Sequence, residues 1–213
     1  MTKFLVVFDV DSTLIEDEVI ELLAEVAGKR AEVAAITERA MAGELDFAES
    51  LIERVAVLKG LPESVFADVF QRITVTRGAK QLIDAIHAAG GRVGAVSGGF
   101  TQVLAPLAEL LTLDFARANE LEVVDATLTG KVLGKIIDRT EKKNALLEWS
   151  KLAGFEIAQT IAVGDGANDL EMMQAAGLSV AFNAKAIVKA KADLVIEKHD
   201  LSQLAEALRL TSN

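Results

Sequence analysis

Asp9 and Asp11 close an otherwise apolar run, Phe4-Leu5-Val6-Val7-Phe8-Asp9-Val10-Asp11, and Ser12-Thr13-Leu14 follow. A carboxylate buried in apolar surroundings is costly unless it is paired or metal-bound. Two of them, ending a strand whose residues read as buried on both faces, are poorly explained by stability. Open parallel sheets bind ligands at the carboxyl ends of their strands, which is where this run sets its acids. A second segment shares the design: Ile161-Ala162-Val163-Gly164-Asp165-Gly166-Ala167-Asn168-Asp169. If Asp9, Asp11 and Asp165 converge, their repulsion must be offset, since two unit charges ~4 Å apart interact by about 4 kcal/mol at an effective dielectric of about 20. A hard cation with oxygen ligands removes that cost. One or two carboxylates with waters and a phosphate oxygen suit magnesium, with manganese as the alternative. The chain has two His and no Cys, so zinc is not expected.

Aspartate carboxylates form acyl-phosphate intermediates. Asp9 could attack phosphorus, and Asp11, on the same strand face two residues on, could serve as acid to the leaving oxygen and then as base to water. Val96-Ser97-Gly98-Gly99-Phe100 ends another apolar run before a helical pattern. Ser97 offers a hydroxyl there, and Gly98 and Gly99 let backbone N–H groups approach an anion closely. Lys142, at the start of a helical pattern, would supply balancing positive charge.

These residues need a scaffold, and the pattern is one of alternating strands and helices. Strands are expected at 5–10, 92–97 and 160–163, with shorter ones at 178–182 and 193–196. Helices are expected at 79–89, 101–111, 141–152, 170–176 and 201–208. Such alternation argues for a doubly wound parallel α/β sheet with helices on both faces. Residues 16–75 break it, reading as successive amphipathic helices interrupted near Gly28, Gly43 and Gly60-Leu61-Pro62. The expected organisation is a discontinuous core, 1–15 and 76–213, with a helical cap at 16–75 inserted after the first strand and able to act as a lid. Residues 123–137 alternate around Thr129-Gly130, which predicts a β-hairpin appended to the core.

The 213 residues are 51% hydrophobic and 25% charged, with net charge -10. This is a globular composition, and the acidity argues against a nucleic-acid partner. The apolar opening is too short for a signal or membrane segment. A cytoplasmic protein without membrane or nucleic-acid partners is expected, either monomer or homodimer.

Taken in order, Asp9-Val10-Asp11-Ser12-Thr13, Ser97, Lys142 and Gly164-Asp165-Gly166-Ala167-Asn168-Asp169 resemble the motifs of the haloacid dehalogenase superfamily of phosphatases. Within it the chain is similar to the phosphoserine phosphatase family. Glu18 follows the first motif, 41–47 and Ser50 to Val55 resemble the cap segment, and Ala184-Lys185 and Lys191-Ala192-Asp193 fit the close. The resemblance implies Asp9 as nucleophile and Asp11 as acid/base. It implies a magnesium ion held by Asp9, the Asp11 backbone carbonyl and Asp165, and phosphate held by Ser97, Gly98, Lys142 and Asn168. Gly99 and Asp169 would support these groups. It also implies Glu18 facing a substrate ammonium and Arg54 its carboxylate, with Met41 and Phe47 closing over the side. One Glu and one Arg are the minimal complement of an amino acid. Lys142 is preferred over Lys143 because Leu146 lies four positions on, as in the family. Longer members carry an amino-terminal regulatory domain that this chain is expected to lack.

Blander readings exist for each motif. Asp9 and Asp11 also suit turns and helix caps, the Asp165–Asp169 cluster suits a helix N-terminus, and Glu18 and Arg54 suit a solvated lid surface. Asp17, Glu21 and Glu25 read as such a surface, His87 and His199 as ordinary surface residues, and Trp149 as packing its helix on the sheet. The competing functions are another small phosphomonoesterase, a phosphotransferase of the phosphoserine:homoserine type, and a non-catalytic phosphate-binding module.

Overall fold

The four residues of β1 (Leu5–Phe8) are all 0% exposed, so this strand must lie inside a sheet covered on both faces. The computed structural model, which describes residues 3–210, shows how. Among the described residues, β1 is joined by β2 (Arg92–Phe100), β3 (Phe115–Val124), β4 (Thr127–Leu133), β5 (Thr160–Gly164), β6 (Leu178–Phe182) and β7 (Leu194–Ile196). They form one sheet in the order β4-β3-β2-β1-β5-β6-β7. Only the β3–β4 pair is antiparallel. The chain steps outward through β2 and β3, then returns to β5 on the other side of β1, so the topology reverses between β1 and β5.

Alternate residues of β1 enter opposite layers. Val6 and Phe8 pack in a layer with Leu82, Ile83 and Ile86 of α5 (Ala79–Ala88), Leu104 and Leu107 of α6 (Thr101–Leu111), and Leu204 near the carboxyl terminus. Leu5 and Val7 pack with Ala145, Leu146 and Trp149 of α7 (Arg139–Ala153) and with Met172 and Met173 of α8 (Leu170–Ala175). Trp149 stacks on Phe115 of β3 at 5.5 Å, as expected of a residue seating its helix on the sheet.

Between β1 and β2 stand α1 (Val19–Val26), α2 (Arg30–Met41), α3 (Phe47–Val57) and α4 (Val65–Phe70). The helices break at Gly28, Gly43 and Gly60, each with positive φ. The segments entering and leaving this helical region run side by side. Ile15 bridges Val75, the Glu16 N–H donates to Thr74 O (2.9 Å), and the Thr76 N–H donates to Leu14 O (2.9 Å).

The hairpin differs from expectation. Its turn is Asp125-Ala126, with φ of 49° and 55°, rather than Thr129-Gly130. Two successive left-handed residues match the twist of a tight hairpin. Its first strand, β3, is also an integral member of the main sheet. Gly130 serves another purpose: a Cβ there would stand 3.0 Å from Lys59 Cβ and 3.3 Å from Ala56 Cα, because α3 crosses the hairpin at that point. Leu128 and Ala126 exchange backbone hydrogen bonds with Gly60, Leu61 and Glu63, so the hairpin docks the helical region.

Candidate active site

Strand ends and helix starts deliver the core residues of the site, and Asp9 comes directly off β1. The Asp9 N–H donates to Val163 O (2.9 Å), extending the β1–β5 pairing by one residue, and the Asp9 carboxylate then accepts from the Val10 N–H (2.7 Å). A wide turn follows, closed by Ile15 N–H to Val10 O (3.0 Å), with Ser12 in the left-handed region at φ 58°. The turn folds Asp11 back over the end of the sheet. There its Oδ1 is buried without a hydrogen-bond partner.

Lys142 projects from the first turns of α7, whose start is fixed by Asp138 accepting from the Glu141 N–H (2.9 Å). Its Nζ lies 2.7 Å from Asp9 Oδ1 and 2.8 Å from Asp169 Oδ1, and the side chain is 1% exposed. Asp169 also accepts from the Gly166 N–H (3.1 Å). Of the two adjacent lysines, Lys142 therefore meets the acids, while Lys143 faces outward, 3.5 Å from Glu171. Oxygens of Asp9, Asp165 and Asp169 lie within 4.8 Å of one another.

Four acids crowd one buried ammonium. Burial, then Asp169, push the Asp9 carboxyl well above the carboxylate range against the pull of Lys142. Burial, then Glu18, push Asp11 up to about 8. Burial, then Asp169, push Asp165 up to about 6. Burial opposes the charge on Lys142, but Asp169 and Asp9 outweigh it and hold the ammonium above the ordinary lysine value. An oxygen-only donor set with excess negative charge and an orphaned Asp11 oxygen fits a divalent cation. Asp169, read from the sequence as a support for the metal or Lys142, pairs with Lys142 while its carboxylate stands beside Asp9 and Asp165.

Ser97, 2% exposed, sits at the end of β2, and its Oγ accepts from the Gly99 N–H at 2.7 Å. That N–H is thus occupied within the loop, whereas the sequence suggested it would face an anion. A Cβ on Gly98 would stand 3.0 Å from the Phe47 ring, and one on Gly99 would stand 3.3 Å from Asp11 Oδ2. The absent side chains let the helical region and the first acid turn close on this loop.

A cavity of about 320 Å³ opens over these groups. Its floor carries Asp9, Asp11, Ser97, Gly98, Gly99, Asp165 and Asn168, and its roof carries Glu18, Phe47 and Arg54. Glu18 accepts from Ser12 Oγ (2.8 Å) and Arg54 Nε donates to Ser50 O (3.2 Å). Met41 ends α2, and its side chain lies outside the described residues. Asp17, expected on a solvated helix face, instead accepts from the Thr74 N–H (2.6 Å) between the two connecting segments. His87 has a partner, Asp114, at 2.9 Å.

Two residues near the site had no role in the sequence reading. Lys185, seen only within a closing motif, lines the cavity. Asn119 is 1% exposed on β3, and its amide donates to Gly98 O (2.8 Å) and Gly99 O (3.3 Å) while its Oδ1 accepts from the Ile137 N–H (2.8 Å).

Comparison with known proteins agrees with this geometry. A profile of the haloacid dehalogenase-like hydrolases matches residues 6–174. The chain is 52% identical over 206 residues to a phosphoserine phosphatase of Streptococcus thermophilus, spanning 97% of this chain and 96% of that one. It is 54% identical to phosphoserine phosphatase SerB2 of Mycobacterium tuberculosis over 90% of this chain, and it spans about half (47%) of that longer relative. A solved phosphoserine phosphatase with substrate bound superposes with a TM-score of 0.90 at 43% identity, over 97% of this chain and 99% of that one. A phosphoserine phosphatase carrying a phospho-aspartyl intermediate analogue superposes equally well. On this extent of identity and coverage, the chain belongs to the haloacid dehalogenase-like hydrolases and, within them, to the phosphoserine phosphatase family.

Proposed function

We propose that this protein hydrolyses O-phosphoserine to serine and phosphate with Mg²⁺, through a phosphate ester on Asp9, as the last step of serine biosynthesis. The observation that carries the reading is one cavity whose floor holds Asp9, Asp11 and Ser97 and whose roof holds one anion, Glu18, and one cation, Arg54. That roof complements an α-amino acid, and that floor complements a phosphomonoester. Similarity to a phosphoserine phosphatase solved with its substrate supports it.

Asp9, held by Lys142 and the Val10 N–H, attacks phosphorus. As the bond to the serine oxygen breaks, Asp11 gives that oxygen its proton. The Asp11 carboxylate then takes a proton from water, which attacks phosphorus and releases phosphate with Asp9 regenerated. Ser97, Gly98, Asn168 and Lys142 bind the phosphate oxygens, with Gly99 and Asp169 holding them in place. Glu18 takes the ammonium and Arg54 the carboxylate, and Phe47 and Met41 close over the side. A divalent ion on Asp9, the Asp11 backbone carbonyl and Asp165 would neutralise the charge shared by nucleophile and substrate, the largest obstacle to a dianion entering an acidic site. Residues 16–75 act as a cap domain over a core of 1–15 and 76–213.

No helix among the described residues is long and apolar enough to cross a membrane. We place the enzyme in the cytoplasm on its biosynthetic role, as a monomer or homodimer. The test is phosphate release from phosphoserine, phosphoglycolate, a sugar phosphate and an aryl phosphate. Each is run after EDTA and again after adding back Mg²⁺ or Mn²⁺, with and without an acceptor alcohol. Phosphoserine should lead in kcat/KM, and EDTA should stop turnover reversibly. Equal use of phosphoglycolate would sink the substrate assignment.

A further inference from the structure

The β2–β3 pairing slips just where the phosphate loop begins. Val96 pairs with Arg117 and Phe100 with Asn119, so Ser97, Gly98 and Gly99 stand opposite the single residue Ala118. Two extra residues in one strand leave backbone groups without ladder partners, and buried carbonyls left in that state are costly. The Asn119 side chain takes both, donating to Gly98 O and Gly99 O. Its remaining polar atom accepts from the Ile137 N–H, immediately before the Asp138 cap of the helix that carries Lys142. A side chain 1% exposed thus uses both donors and its acceptor on backbone groups of the two segments that converge on phosphate.

The consequence reaches Ser97. In a trans peptide the carbonyl and the following N–H point in opposite directions. Fixing Gly98 O on Asn119 therefore aims the Gly99 N–H the other way, and there it meets Ser97 Oγ at 2.7 Å. A hydroxyl accepting from this N–H keeps its own hydrogen free to donate, and Ser97 lines the cavity where a phosphate oxygen could take it. We propose that Asn119 is a positioning residue that fixes the Ser97 hydroxyl as a donor to the substrate's phosphate, acting through the Gly98–Gly99 peptide. The inference rests on the phosphatase reading above.

The test is a double-mutant cycle of Asn119→Asp and Ser97→Ala, scored by kcat/KM for phosphoserine and by the affinity of inorganic phosphate in Mg²⁺. Asn119→Asp keeps the shape and the acceptor but sets a carboxylate against two carbonyls. It should lower both quantities about tenfold or more, the size of one hydrogen bond to a charged group. In the Ser97→Ala background the same change should cost less than about threefold, because neighbours acting through one contact are not additive. The relative activity of Asn119→Asp should also recover as pH falls, since a protonated carboxyl can donate to Gly98 O again. Full additivity, or a loss of thermal stability with phosphate affinity unchanged, would overturn the proposal. Should Asn119→Asp fail to fold, Asn119→Ser completes the same cycle. A parent protein that binds phosphate but leaves phosphoserine intact would refute the functional reading alone, and the cycle would then be scored on phosphate affinity.

Discussion

The floor and the roof of the cavity are built to different standards. On the floor, Asp9, Ser97, Lys142 and Asp169 are buried, each held by hydrogen bonds or ion pairs within 3 Å, where strand ends and helix starts meet over one sheet. On the roof, Glu18 and Phe47 are exposed, and Arg54 is half-buried with a single backbone contact. The helices that carry them turn apolar side chains such as Leu23, Leu51, Val55 and Val69 into the core, but their outer faces are tied by surface ion pairs such as Arg39–Glu53 and Arg72–Glu25, which are individually weak and salt-screened. In α2 the one buried side chain among the described residues is Val33. Chemistry needs atoms fixed in advance of the substrate, whereas recognition of a freely diffusing amino acid needs a wall that can open. The two requirements fall on separate stretches of sequence.

That contrast breaks first at Asp9. Asn keeps the shape and can still face the Val10 N–H, but it cannot form an acyl phosphate. Asp9→Asn should lower kcat by about 10⁴-fold or more, with little change in the urea midpoint. Retention of most activity would eliminate the covalent route. Lys142→Ala tests whether the floor is structural as well as chemical. Removing one partner of a buried ion pair costs about 3–5 kcal/mol, and here two acids, Asp9 and Asp169, lose it together. Urea denaturation should show that loss, whereas Arg54→Ala in the roof should leave stability nearly unchanged.

The same contrast explains what was legible in the sequence. β1, β2 and β5 stood out because strands buried on both faces are unbroken apolar runs, and the acids stood out because they interrupt those runs. The helices at 16–75 were readable from their glycine breaks. The hairpin was misplaced because Thr129-Gly130 looks like a turn, while Gly130 is demanded by the approach of α3, a tertiary fact. Asn119 gave no signal: within Arg117-Ala118-Asn119-Glu120 it reads as surface, and its burial depends on a strand slip that no local pattern announces. Asp17 was misread for a related reason, since its partner Thr74 lies 57 residues away in sequence.

Arg54→Ala sharpens the comparison from the other side. If Arg54 serves only recognition, its loss should raise KM for phosphoserine by about 10–100-fold, the worth of a charge-assisted contact. KM for an aryl phosphate, which has no carboxylate to hold, should barely move. Equal effects on both substrates would remove the carboxylate role and make Arg54 part of the floor's electrostatics.

The smallest effect lies at the opposite end of the sheet, and it tests whether raised acids belong to the active site alone. Asp114 is partly buried, which raises its pKa, but the Val93 N–H, His87 and Arg92 outweigh that and hold the carboxyl below its usual range. A carboxyl depressed in the folded state binds protons less readily there than in the unfolded chain. It contributes stability that is fully present above the unfolded pKa of about 4 and is lost as pH falls through the folded value. Asp114→Asn should therefore be less stable than the parent at neutral pH, and the gap should narrow below about pH 4. The acid limb of the stability curve, measured by urea denaturation at stepped pH in EDTA, checks this. A gap that stays constant down to the lowest pH would mean that the three donors hold Asp114 by shape, not by charge.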